Sequence, residues 1–112
     1  MYSKELVKGT LRTIVLHLLA EQGRMYGYEM TQKVLERSDE KFQLTEGSLY
    51  PTLHKMVSEG LLVTETEKVG GRTRKYYRLT PAGQAATSNR LAELRDFMRT
   101  LQQLLDLNPT TD

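Results

Sequence analysis

TEGSLYPTLHKMVSEG, residues 45–60, is the stretch whose reading decides the fold. Leu49, Leu53, Met56 and Val57 fall at i, i+4, i+7 and i+8, which puts them on one face of a helix. Thr45 is placed to cap that helix, Glu46 suits the positive end of its dipole, and Gly60 stops it. The opposite face carries Gly47, Pro51, His54 and Ser58, flanked by Ser48, Thr52 and Lys55. Glycine costs a helix interior about 1 kcal/mol relative to alanine, and proline removes a backbone hydrogen bond. A helix kept only for packing has little reason to carry both. Small residues on that face let the helix approach another surface closely. On these residues alone, the plainer alternative of a strained helix with a solvated polar face stays open.

Reading outward from this stretch, Leu61 to Lys68 alternates like a strand, and Arg74 to Leu79 reads as its return. Between them, Val69-Gly70-Gly71-Arg72-Thr73 reads as a turn, since paired glycines accept positive φ. The hairpin carries Lys68, Arg72, Arg74, Lys75 and Arg78 with no acid from 68 to 78, so its tip is basic. Strand alternation sends Tyr76 and Tyr77 to opposite faces, one toward the core and one outward.

Upstream, residues 3–22 predict a first helix with Ser3 as N-cap and an apolar stripe through Leu6, Val7, Leu11, Ile14, Val15, Leu18 and Leu19. Gly23 ends it as C-cap. Tyr26-Gly27-Tyr28 opens a second helix to about Arg37, with Tyr28, Met30, Val34 and Leu35 as its core positions. Ser38-Asp39 breaks that pattern, and Phe42-Gln43-Leu44 alternates like a very short strand. Downstream, Thr80 caps and Pro81 opens a last helix running to about Leu107, where Asn108-Pro109 ends it before a short tail, Thr110 to Asp112. Leu91, Leu94, Met98, Leu101 and Leu105 repeat at 3, 4, 3, 4, widened by Phe97 and Leu104.

Composition narrows the function classes. The chain of 112 residues, 38% hydrophobic and 27% charged, is long enough for one small core with an appended helix. The absence of cysteine excludes disulfides and thiolate metal sites, and two isolated histidines argue against zinc, so no metal or other cofactor is expected. No apolar run is long enough for a membrane span, and the charged N-terminus lacks a signal-peptide core, which makes the cytoplasm the expected compartment. A net charge of +2 says little about nucleic acid by itself, because the distribution carries the signal. No nucleophile, base and orienter group together, and Gly70-Gly71 sits in a hairpin, the wrong context for a phosphate loop, so no enzyme is expected.

The order helix, helix, short strand, helix, hairpin, helix predicts a mainly α (α+β) protein. It divides into a winged helix–turn–helix domain over residues 1–80 and a long C-terminal dimerisation helix over 81–112. In that arrangement the third helix fits a major groove and the hairpin is a wing beside it, its cations meeting phosphates or a narrow minor groove. Double-stranded DNA is then the partner, and Ser48, Thr52 and Lys55 lie where bases are read. A last helix of roughly 27 residues spans about 40 Å. The small domain would leave much of its stripe uncovered, so a two-fold homodimer is expected, with the first and last helices packing across subunits and Leu91, Leu94, Phe97, Met98, Leu101 and Leu105 in the interface. Two alternatives are a helix folded back over its own domain and a winged-helix module that binds protein instead of DNA.

The chain resembles the PadR family of transcriptional regulators, in its short class with one C-terminal helix. The resemblance rests on Gly27-Tyr28-Glu29, on Glu46 to Pro51 with Leu53, and on Glu59-Gly60-Leu61-Leu62. It extends through Gly70-Gly71-Arg72, Arg74 to Thr80, and Gly83. It covers roughly residues 4–85. It implies a homodimeric regulator, commonly a repressor, on a palindromic operator. It also implies DNA contacts from Tyr28, Ser48, Tyr50, Pro51, Lys55, Arg72, Arg74 and Lys75. Family members often answer to a small-molecule effector at the dimer interface, in some cases stacked on a tryptophan. This chain has no tryptophan, which leaves leucine, methionine and Phe97 to line such a site.

Overall fold

The computed structural model describes residues 2–107. Seven elements follow one another: α1 (Lys4–Gln22), β1 (Arg24–Tyr26), α2 (Gly27–Arg37), α3 (Glu46–Ser58), β2 (Leu62–Val69), β3 (Arg72–Leu79) and α4 (Pro81–Leu104). The strands form one antiparallel sheet in the order β1-β3-β2. Four helices and this small sheet make the mainly α, winged-helix architecture that the element order predicts.

Local chemistry sets most boundaries. The Ser3 hydroxyl accepts from the Leu6 amide and the Thr80 hydroxyl from the Gly83 amide, each taking up an amide that has no partner inside its helix. Gly23, with φ of 89°, closes α1 by donating its amide to the Leu19 carbonyl. The break after α2 is made by Ser38, whose hydroxyl accepts from the Phe42 amide at 2.9 Å. Asp39 and Glu40 then turn the chain through positive φ.

The core lies where α1, α2 and α3 meet the inner face of the sheet. Val15, Leu16 and Leu19 of α1, Met30 of α2, Leu49, Leu53 and Met56 of α3 and Tyr77 of β3 are all but fully enclosed. The third helix therefore buries three of its four expected residues completely, and Val57 packs at the margin.

Three expectations are corrected. Phe42-Gln43-Leu44 is not a strand. Leu44 is buried and Phe42 half-buried, so the alternation there is one of burial without pairing. The third strand is instead Arg24–Tyr26, which takes the β3 edge left free by β2. Tyr28 is not a core residue of α2 but is 57% exposed, because helical spacing from Met30 and Val34 rotates it outward. The last helix ends at Leu104, with Asp106 at φ 54°, so the chain leaves the helix before the expected Leu107. Asn108-Pro109 and the tail Thr110 to Asp112 lie outside the described residues.

Candidate nucleic-acid interface

The outer face of α3 is shaped by its first turns. The Thr45 hydroxyl accepts from the Ser48 amide at 3.2 Å, and the Ser48 hydroxyl donates to the Thr45 carbonyl at 3.1 Å. Thr52 donates to the Ser48 carbonyl at 3.2 Å. Pro51 sits inside the helix and has no amide for the Gly47 carbonyl one turn back. Gly47, Ser48, Pro51, His54 and Lys55 are exposed, and Thr52 is half-buried. The result is a small, polar surface with Lys55 as its cation.

Tyr50 stands differently from its neighbours. It is half-buried, and its ring turns toward α2, where a Cβ at Gly27 would overlap the Tyr50 hydroxyl. Glycine at 27 therefore allows the two helices of the helix–turn–helix to lie this close. Tyr28 stands exposed near the start of α2, one residue beyond that contact.

The wing is the β2–β3 hairpin. Gly70 and Gly71, at φ 56° and 81°, form the two-residue turn, with Val69 paired to Arg72. Positive φ at both central positions matches the right-handed twist of the flanking strands. Arg72, Lys68 and Lys75 are exposed and make no ion pair among the described residues. Alternation along β3 sends Lys75 to the face opposite Arg72 and Arg74.

Arg74 is not a free tip cation. Its guanidinium lies 4.1 Å over the ring of Tyr26. Tyr26 meets Tyr76 edge-on at 5.5 Å, and Arg24 stacks on the other side, 4.0 Å over Tyr76. Arg24 in turn pairs with Glu65 at 2.9 Å and Glu67 at 3.1 Å, and Arg78 pairs with Glu65 at 3.1 Å. The Arg24 hydrogen bond, helped by Arg78, holds the Glu65 carboxyl below its ordinary ionisation range. A side-chain hydrogen bond to Tyr76, and to a lesser degree the nearby Glu29 carboxylate, hold Arg74 more firmly in its cationic form. Of the five basic residues that mark the wing in sequence, then, Arg78 is neutralised at the base and Arg74 is stacked. Lys68, Arg72 and Lys75 are free cations among the described residues, and Arg74 keeps its charge while stacking fixes its position. Sequence reading missed Arg24 and Tyr26, because their strand is three residues long and its partner lies some fifty residues on.

Two ion pairs brace this surface from behind. Arg12 of α1 holds Glu59 at the end of α3 at 2.6 Å, and Arg37 of α2 holds Glu21 of α1 at 2.6 Å. Each arginine keeps its carboxylate ionised further into acid than usual. His17, on the same helix, stands 3.6 Å from Glu21 at the surface.

The far end of α4 carries the other exposed group. Phe97, Met98, Leu104 and Leu105 are more than half exposed, while Leu91, Leu94 and Leu101 are half-buried. No helix of the described residues is long and apolar enough to cross a membrane. No cluster of metal-ligating side chains occurs among the described residues.

A helix–turn–helix with an exposed polar third helix and a basic two-stranded wing defines a winged-helix DNA-binding protein. The family model of the transcriptional regulator PadR-like family matches residues 15–89, two thirds of the chain. The chain is 38% identical over 96 residues to the transcriptional regulator Rv3488 of Mycobacterium tuberculosis, covering 86% of each. This chain belongs to the PadR-like family of transcriptional regulators. Among solved structures, it is similar to a transcriptional regulator from Clostridium thermocellum (TM-score 0.82, 26% identity, 92% of this chain and 97% of that one). It is also similar to a PadR family regulator from Eggerthella lenta (TM-score 0.78, 32% identity, 93% and 88%). Bacillus subtilis PadR in complex with operator DNA matches with a TM-score of 0.66 and 28% identity, over 72% of this chain and 46% of that one.

Proposed function

We propose that this regulator is a homodimeric repressor that binds a palindromic operator. The recognition helix α3 lies in the major groove and the β2–β3 wing lies along the neighbouring backbone. The observation that carries the reading is the exposed polar face of α3 standing beside three unpaired wing cations, Lys68, Arg72 and Lys75. Ser48, Thr52 and Lys55 are the base-reading candidates, with Gly47 and Pro51 giving close approach. Tyr28, Arg72, Arg74 and Lys75 meet phosphates, and Tyr50 contributes by fixing α3 against α2. The likeness to a PadR bound to operator DNA supports this placement.

Residues 1–80 form the DNA-binding domain in this reading, and 81–112 the dimerisation helix. Leu91, Leu94, Phe97, Met98, Leu101 and Leu105 face the second copy. A small-molecule effector between the two copies, lined by leucine, methionine and Phe97, would change the spacing of the two α3 helices. The protein acts in the cytoplasm, where its DNA is.

Selection of duplexes from a random pool by the full chain tests this. The expected result is an inverted repeat whose half-sites stand one helical turn apart, about 34–36 Å. Enrichment of a single unpaired half-site would contradict the dimer on its operator, and no enrichment would contradict sequence-specific binding.

A further inference from the structure

The outward face of the sheet carries a ladder of alternating cations and rings: Arg74, Tyr26, Tyr76, Arg24. Its order follows from the register. Tyr26 pairs directly with Tyr76 across β1 and β3, and Arg24 with Arg78. Arg74 therefore lies diagonal to Tyr26 and Arg24 diagonal to Tyr76, the spacing at which long side chains on one sheet face meet. Glu65 and Glu67 hold the Arg24 end. Glu67, the cross-strand partner of Arg74, turns to Arg24 instead, and Glu29 acts on Arg74 only from beyond ion-pair distance, so no carboxylate of the described residues is paired with the Arg74 guanidinium.

A guanidinium stacked by its face keeps its N–H donors pointing outward in its plane. Arg74 is therefore held in one place, while the donors that Tyr76 does not take up stay open to an anion. Tyr26 is the last residue of β1 and the N-cap position of α2, and its amide donates to the Glu29 carboxylate at 3.1 Å. The ring that carries Arg74 is thus fixed to the first helix of the helix–turn–helix, a residue away from Gly27 and its Tyr50 contact.

We infer that Tyr26 is a positioning residue for DNA binding: it presents Arg74 to a backbone phosphate and sets the angle between the wing and the helix–turn–helix. The inference rests on the DNA-binding reading above and adds a residue that reading does not use. Without the ring, Arg74 must be ordered when DNA binds, and that loss appears as weaker affinity with the charge still present.

The test is a double-mutant cycle on a duplex selected by the wild-type protein, with Tyr26→Leu, Tyr26→Phe and Arg74→Ala. Tyr26→Leu weakens binding about two- to fivefold, the range of an exposed cation–π contact. Tyr26→Phe keeps the ring and binds like wild type. Arg74→Ala weakens binding more and lowers the salt slope by about one unit. In the Arg74→Ala background, Tyr26→Leu has no further effect. An equal loss from Tyr26→Leu in both backgrounds would overturn the inference, because Tyr26 would then act independently of Arg74. A silent Arg74→Ala on a duplex that the protein still selects would also overturn it and leave the DNA-binding reading standing. Failure of the protein to select any duplex would overturn both.

Discussion

The two halves of α4 belong to one continuous helix and have opposite fates. The first half is docked: Gly83 and Thr87 are buried, and the Thr80 hydroxyl ties the helix start to the Gly60 and Leu61 carbonyls. Past Arg90 no described residue of the helix is buried. The helix runs outward, and the molecule reaches 57 Å along its longest axis. The first half finds everything it packs against within its own chain. The second presents Phe97 and Met98, both more than half exposed, to solvent. A single chain can complete the DNA-binding surface and still leave this apolar stripe without a partner, which is the pattern expected where a second copy covers it.

Substitutions in the two halves should therefore break different things. Met98→Glu places a charge in the stripe. If a second copy covers it, burial of an uncompensated carboxylate raises the dimer dissociation constant at least about a hundredfold. Sedimentation equilibrium reads that change, while the melting temperature of the monomeric domain stays close to wild type. Unchanged self-association would mean that this half of α4 is not the interface.

Gly83→Ala probes the docked half. Its Cβ would overlap the Leu61 carbonyl oxygen, a backbone atom that cannot rotate away. Overpacking of this kind costs about 1–3 kcal/mol. For a domain of this size that is a fall of roughly 4–8 °C in melting temperature per kcal/mol. Thermal unfolding followed by circular dichroism measures it. A melting temperature equal to wild type would show that the α4 start gives way easily, and that its docking is looser than the close approach implies.

What sequence made legible divides along a similar line. Ser3, Thr45 and Thr80 are legible as caps because capping depends on residues within one turn. The Gly70-Gly71 turn is legible for the same reason, and so is the apolar face of α3. The strand Arg24–Tyr26 is not, since three residues carry no periodicity and its pairing is decided by β3 far along the chain. Nor is the stacking of Arg74 on Tyr26, which follows from that register. Of the candidate site, the exposed α3 residues and Arg72 stand where the pattern puts them. Tyr50 is the one that turns inward, and only the packing of α2 on α3 reveals why. At Tyr28 the helical pattern points to the core and the family resemblance to a DNA contact, because a tyrosine suits a core position as readily as a surface one; the side chain is exposed.

The central claim is that the wing meets the DNA backbone, and Arg72 tests it most directly. It is exposed at the hairpin tip and pairs with no carboxylate among the described residues. The measurement is the dependence of binding on salt concentration, on one selected duplex, for the wild-type protein and Arg72→Ala. Loss of a phosphate contact predicts weaker binding on every sequence and a slope of log affinity against log salt that is shallower by roughly one unit. An unchanged slope would contradict the account.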